Sequence, residues 1–287
     1  MKRKIIAAAA LGAMLLAACG DDDKKSADTA VAGDQTAAEC AAGKTVTDAT
    51  LTIATGEPAF PPYIINDATP EDGQGFEAAV AMAVAGELGF DADSVVWIRT
   101  AFDAAIAPGP KDFDFNLQQY TITPERSEVV TFSQGYYTSS QAIFGLADSP
   151  AATAATLADL KGLKIGVAAG TTSLTYVEEV IQPDSEPFVF NDNAAAKEAL
   201  DSNQIDAIVA DLPTALYITA VEMEGTAVFG QIDGSGTDEF GLLLSKDNPL
   251  ATCVDLALTA LKDSGDLEAI TTTWMSDYTE APVISVD

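Results

Sequence analysis

The chain predicts an α/β fold in two domains, on three observations. From Thr50 onward, short apolar runs alternate with helical patterns, as strands and the helices connecting them do. A stretch of turn and small residues between Ala147 and Thr156, with no period, interrupts that alternation before it resumes at Leu163. A length of 287 residues suits two domains.

Taken in order, Leu51–Thr55 reads as a strand, and Phe76–Leu88 as a helix whose Phe76, Val80, Val84 and Leu88 fall every four residues on one face. Val95–Ile98 follows as a strand and Phe102–Ala107 as a helix. Further strands are expected at Phe113–Leu117, Ser140–Leu146, Leu163–Val167, Phe188–Phe190, Asp206–Val209 and Phe240–Leu244. Helices are expected to begin at Thr172, Ala194, Pro213, Leu250 and Leu267. The first domain is placed at residues 47–145 and the second at 146–240. The chain would return to the first over 241–287, where the last two helices would pack back on it.

Composition narrows the function. The chain carries 44 Asp plus Glu against 14 Lys plus Arg, a net charge of −30. Such a surface repels phosphate and anionic headgroups, which excludes nucleic acid as a partner and favours a soluble monomer. No His is present, so the commonest general base and zinc ligand are missing, and no metal or other cofactor is expected. Gly43-Lys44-Thr45 ends like a phosphate loop, but Ala38 stands where its first Gly belongs and no strand precedes it. Asp112, Asp114 and Asn116 have calcium-loop spacing, yet Leu117 and Thr123 occupy the required Gly and Glu positions.

The first residues are an address. Met1-Lys2-Arg3-Lys4 precedes an apolar run from Ile5 to Ala17, shorter than the roughly 20 residues that span a bilayer. Residues 1–18 are read as an export signal, and Leu16-Ala17-Ala18-Cys19 resembles the lipobox at which Cys19 is lipidated. The protein would sit outside the cytoplasm at the outer face of the membrane, touching it only through the lipid. Residues 19–46, acidic and almost without large apolar side chains, read as a flexible tether. Cys40 and Cys253 then remain as an even pair in an oxidising compartment and are expected to form a disulfide.

Several residues suit a zwitterionic ligand. Beyond the leader, Arg occurs only at positions 99 and 126. Arg126 closes Thr121-Ile122-Thr123-Pro124-Glu125-Arg126, where Pro124 suits the first position of a helix, and a guanidinium matches a carboxylate with two parallel bonds. An exposed Arg paired with one of the many acids is the plainer reading. Gly170-Thr171-Thr172-Ser173 lies between a strand and a helix, where backbone N–H groups and hydroxyls can hold an anion or simply cap the helix. Asp211 ends an apolar strand, the end at which open α/β sheets place ligand contacts, although it could equally cap the next helix. The loop Gly56-Glu57-Pro58-Ala59-Phe60-Pro61-Pro62-Tyr63 and Phe102 could line an apolar wall.

These stretches, together with Gly75-Phe76-Glu77, Leu163-Lys164-Ile165-Gly166-Val167 and Ile205-Asp206-Ala207-Ile208-Val209, resemble the family 3 extracellular solute-binding proteins, the type II periplasmic amino-acid-binding proteins of ABC importers. The resemblance runs from about Thr50 to Tyr278, and Thr121 to Arg126 is its most specific piece. It implies two lobes joined by a two-strand hinge, with an amino acid in the cleft between them. On that resemblance Arg126 would hold the ligand α-carboxylate with help from Thr121 and Thr172, and Asp211 and the Gln119 carbonyl would meet its ammonium group. Phe60 and Phe102 would sandwich the ligand side chain, and Glu57 would read its polar end, favouring a cationic or amide group. Gly75-Phe76-Glu77 departs from the family's usual Gly-Phe-Asp, and Gln118-Gln119-Tyr120 replaces smaller residues. Arg99 has no assigned role.

The expected function is thus an importer receptor that makes and breaks no bond. It would bind a polar amino acid by lobe closure and deliver it to permease subunits. Two alternatives are an exported prephenate- or arogenate-type dehydratase on the same scaffold, with Glu57 or Asp211 as its acid, and a ligand-sensing partner of a membrane signalling protein.

Overall fold

The computed structural model describes residues 35–67, 69–232, 238–278 and 281–285. The leader, Cys19 and most of the expected tether lie outside the described residues. Eleven strands among the described residues form two sheets.

The first sheet has the order β2-β1-β3-β10-β4. It comprises β1 (Leu51–Gly56), β2 (Val95–Thr100), β3 (Phe115–Asn116), β4 (Val130–Ser139) and β10 (Asp238–Ser245). β1 runs parallel to β2 and β3, while β10 is antiparallel to β3 and β4. The second has the order β11-β9-β5-β8-β6-β7. It comprises β5 (Gln141–Leu146), β6 (Ile165–Ala168), β7 (Phe188–Phe190), β8 (Ala207–Asp211), β9 (Thr226–Ile232) and β11 (Val283–Ile284), with β6, β7 and β8 parallel.

Helices cover these sheets. α1 (Ala37–Ala41), α2 (Phe76–Glu87), α9 (Ala251–Ser264) and α10 (Asp266–Met275) belong to the large core of the first lobe, with Phe76, Val80 and Val84 fully buried as their spacing requires. α3 (Phe102–Ile106) and α4 (Pro124–Ser127) lie toward a smaller cluster around Tyr120 and Leu243. In the second lobe, α5 (Leu157–Leu160), α6 (Thr172–Tyr176), α7 (Asn193–Asp201) and α8 (Leu212–Tyr217) accompany two further clusters, one centred on Val167 and Val209, the other on Phe144 and Ile208. Among the described residues no helix is long and apolar enough to cross a membrane.

The chain crosses between the lobes twice, from β4 into β5 at Ser140 and between the end of β9 at Ile232 and the start of β10 at Asp238. The boundary expected at 145/146 therefore falls earlier. Residues 141–146 pair with β8 and β9, so the turn-rich stretch after them is a loop inside the second lobe rather than a domain border. The return likewise begins at Asp238, and the chain end, expected in the first lobe, comes back as β11 to pair with β9. α9 and α10 do pack on the first lobe.

The end of the expected tether is ordered. A capping box between Thr36 and Glu39 starts α1, which buries Ala37, Cys40 and Ala41. Cys40 and Cys253 form a disulfide with a Cα–Cα separation of 5.3 Å, attaching this short helix to α9. Five residues cannot display a helical period, so composition alone reads as tether.

Candidate functional site

A cavity of about 410 Å³ lies between the lobes. Its walls come from the carboxyl ends of parallel strands in both sheets, where strand ends turn into loops and helix starts. From the first lobe come Glu57 and Phe60 after β1, Phe102 and Asp103 after β2, and Gln118 and Gln119 after β3, together with Arg126 on α4. From the second come Ala168, Thr172 and Ser173 at and after the end of β6, Asn191, Asp192 and Asn193 after β7, and Asp211 at the end of β8.

Arg126 is buried, with 9% of its surface exposed. Thr123 caps α4 by accepting from the Arg126 backbone N–H, and Pro124 occupies the first turn, so the short helix holds a fixed orientation. The guanidinium donates from Nη1 to the Thr121 carbonyl at 2.9 Å and from Nη2 to the Gly170 carbonyl, across the cleft, at 3.0 Å. It also lies 5.4 Å from the Phe102 ring centroid. Burial lowers its pKa, and the phenol of Tyr120 and the carboxylates of Asp238, Asp211 and Asp103 oppose that.

Asp211 precedes α8 but makes no side-chain cap bond. Its Oδ1 accepts from Gln141 Nε2 at 2.9 Å. Burial first and the nearby Asp238 carboxylate second push this carboxyl up to about 8, against the Gln141 bond and Arg126, which pull it back. From the same lobe, Thr172 Oγ1 stands 3.4 Å from Thr121 Oγ1 of the first, a second contact between the lobes. Thr121 lies behind the cavity wall rather than on it, and Thr171 is the residue that caps α6, accepting from the Leu174 backbone N–H.

Gln119 has a left-handed backbone, with φ of 50°. Glu77 holds it there, accepting from the Gln119 backbone N–H at 2.8 Å, from Gln119 Nε2 and from the Tyr136 hydroxyl. Gly75 makes this placement of Glu77 possible: its φ is 110°, and a Cβ there would meet the Tyr63 carbonyl oxygen at 2.4 Å. Burial raises Glu77 to about 7 against the lowering effect of those bonds.

Phe60 and Phe102 both line the cavity. Phe102 stacks on Tyr120 at 4.7 Å, so one aromatic neighbour is already in place. Glu57 is exposed at the rim. Arg99 faces the loop instead of the cavity, donating to the Gly56 carbonyl at 2.6 Å and to Asp67 Oδ1 at 2.7 Å, so it ties down the segment that carries Glu57 and Phe60. Asp103 and Asp192 join the wall although no motif in the sequence marks them. Each follows the carboxyl end of a parallel strand, and that position is the signal available for both.

Residues 51–277 match the bacterial extracellular solute-binding proteins, family 3. The L-cystine-binding protein TcyJ of Escherichia coli is 29% identical over 223 residues, covering 76% of this chain and 80% of its own. The ABC transporter arginine-binding protein 1 of Escherichia coli is 30% identical over 187 residues, covering 61% of this chain and 71% of its own. Among solved structures, an ancestral arginine-binding protein bound to glutamine is 31% identical, with a TM-score of 0.68 over 79% of this chain and 98% of that one. An ancestral amino-acid-binding protein, a precursor of cyclohexadienyl dehydratase, is 29% identical with a TM-score of 0.65, over 79% and 95% of the two chains. Two lobes, a cavity built from strand ends of both, and a family match across nearly all of the folded chain agree, and this protein belongs to the bacterial extracellular solute-binding proteins, family 3.

Proposed function

We propose that this protein is the receptor of an ABC amino-acid importer, binding a cationic amino acid between its lobes and presenting it to the permease. The observation that carries the reading is the placement of Arg126 and Asp211, a buried guanidinium from one lobe and a carboxylate from the other, on one cavity. A zwitterion matches this pair: its carboxylate meets Arg126, with the Thr172 hydroxyl and the backbone at the start of α6 alongside. Its ammonium group meets Asp211, with the Gln119 carbonyl as a second acceptor.

Closure withdraws both protein charges from water, and burial acts against the charged form of each. A ligand bearing both opposite charges offsets that cost, which is why the closed state would follow ligand. Specificity follows from the remaining wall. Glu57, Asp103 and Asp192 are acidic, and among the described lining residues Arg126 is the sole cation. A positively charged side chain gains from that rim, and an acidic one is repelled. Relatives named for arginine and histidine binding support this choice. The aromatic rings of Phe60 and Phe102 would flank the ligand's aliphatic stem. Lipidation at Cys19 would keep the receptor near its permease.

A dehydratase would need a carboxylic acid held protonated over the leaving hydroxyl. Glu57 is exposed, whereas Asp211, pushed up to about 8, is a carboxyl of the required kind, so turnover is what separates the dehydratase from the receptor. Isothermal titration of the ligand-stripped protein with arginine, lysine, histidine, glutamine, glutamate and cystine tests the reading. Binding of arginine or lysine with glutamate excluded is expected. Turnover of prephenate, or silence with every amino acid, would overturn it.

A further inference from the structure

Gln141 stands where four parts of the binding machinery meet. It is the first residue of β5, immediately beyond the first crossing between the lobes, and is 1% exposed. Its Nε2 donates to Asp211 Oδ1 at 2.9 Å and to Asp238 Oδ2 at 2.6 Å, and its Oε1 accepts from Ser173 Oγ at 2.6 Å. Asp211 is the acidic group of the cavity contributed by β8, and Ser173 belongs to the helix start that also carries Thr172. Asp238 is the first residue of β10 and lies just past the second crossing.

The chemistry of an amide explains the choice of residue. Its nitrogen has two N–H donors and its oxygen only acceptor capacity. With both donors on carboxylates and the oxygen on a hydroxyl, the group has one satisfactory orientation. Turned over, it would set an oxygen against two carboxylates. No charged side chain fits as well, because a Lys or Arg would compete with a ligand ammonium for Asp211 and a carboxylate would repel both acids.

We propose that Gln141 is the positioning residue of this receptor: it aims Asp211 and the Ser173 turn at the ligand and ties both to Asp238, so that ligand contact and the geometry of the two crossing strands change together. The inference rests on the receptor reading above and adds a residue outside the cavity wall. Groups that face the cluster from packed elements are Arg126 on α4, Glu77 on α2, Tyr63, and Tyr136 and Tyr137 on β4. Their charges are common to wild type and variants.

The test compares wild type, Q141M and Q141E by titration with L-arginine and L-glutamine, by small-angle scattering with and without ligand, and by thermal melting. Q141M keeps volume and removes both donors and the acceptor. It is expected to weaken binding about 100-fold and to reduce the ligand-dependent contraction. Q141E keeps shape and the Ser173 acceptor, and faces two acids with a third. Its deficit relative to wild type is expected to grow roughly tenfold between pH 5 and pH 8, as the introduced carboxyl ionises and repulsion replaces a donated bond. A scaffold role alone would lower the melting temperature without moving that pH profile. Should Q141M not fold, Q141E and S173A decide the question, the latter with an expected loss of about fivefold. Wild type that binds no amino acid overturns the receptor reading and this proposal with it. Wild-type binding together with unchanged affinity, contraction and pH profile in the variants overturns this proposal alone.

Discussion

Replacing Arg126 tests the zwitterion site most directly. The side chain is almost fully buried, donates to one carbonyl in its own lobe and to Gly170 in the other, and is surrounded by Asp103, Asp211 and Asp238. Truncation to Ala would leave the ligand carboxylate in the closed cleft without its charged partner. Breaking a buried ion pair by removing one member costs about 3 to 5 kcal/mol, which at 1.4 kcal/mol per tenfold corresponds to an affinity loss of roughly 10²- to 5 × 10³-fold. Arg126→Lys separates charge from shape, because Lys keeps the charge but cannot serve a carboxylate and two carbonyls from one planar fork. A loss of about 10- to 100-fold is expected there. Isothermal titration with L-arginine at pH 7.5 gives both values, and thermal melting without ligand checks the fold. An Ala variant that folds and binds within about fivefold of wild type would refute the assignment of the carboxylate to Arg126.

Three further outcomes are expected. Gly170 has φ of 70°, and a Cβ there would also displace the exposed Asp103 carboxylate, so Gly170→Ala should strain the turn whose carbonyl accepts from Arg126 and weaken ligand binding by roughly tenfold. An unchanged affinity in this variant would count against a role for the Gly170 turn in holding Arg126. Glu77 is raised to about 7 in the folded protein, so the folded state holds the proton more tightly than the unfolded chain. Its contribution is full below the ordinary carboxylate range and is lost as pH rises through about 7, by up to ~3 kcal/mol. Urea unfolding at pH 5 and pH 8 should show that loss and Glu77→Gln should lessen it; identical pH slopes in the two proteins would exclude Glu77 as the source. The disulfide joins residues 213 apart, a closure worth ~5 kcal/mol in the chain-entropy account. Cys40→Ser with Cys253→Ser should lower the melting temperature by roughly 10 °C, and an unmoved melting temperature would mean that α1 docks without it.

What the sequence makes legible, and what it hides, has a physical pattern. α2 is readable because its buried residues recur at helical spacing, and β1 because its consecutive buried positions make an apolar run. β4 escapes because Thr131, Ser133, Gln134, Thr138 and Ser139 interrupt any alternation, and its pairing with β10 is irregular around Gly241. With β4 hidden, the domain border is expected one loop too late. In the cavity, Arg126, Asp211, Thr172, Phe60 and Phe102 are legible as a rare charge, strand-end and helix-start positions and aromatic residues, whereas Gln119 and the role of Glu57 follow only from the family resemblance. Gln141 leaves no trace. A neutral amide at a strand start has no motif, and its partners lie 32, 70 and 97 residues away.

The charge of the chain and the charge of its cavity pose one question: how a molecule at −30 accommodates the anionic end of a ligand. Long-range repulsion is screened within about 8 Å at physiological ionic strength, so the outcome is decided by groups in contact. At that range Arg126 and the helix start at Thr172, which converge from opposite lobes, would be the favourable partners. Neither lobe alone presents the whole anion site. On the proposed receptor reading, the acids at the rim would act earlier, on the ligand's approach, drawing cations toward the cleft before closure. On that reading, selection by net charge and retention of the zwitterionic backbone would be carried by different residues. Substitutions at Glu57, Asp103 or Asp192 should change which amino acid is preferred, whereas those at Arg126, Asp211 or Gln141 should change how tightly any of them is held.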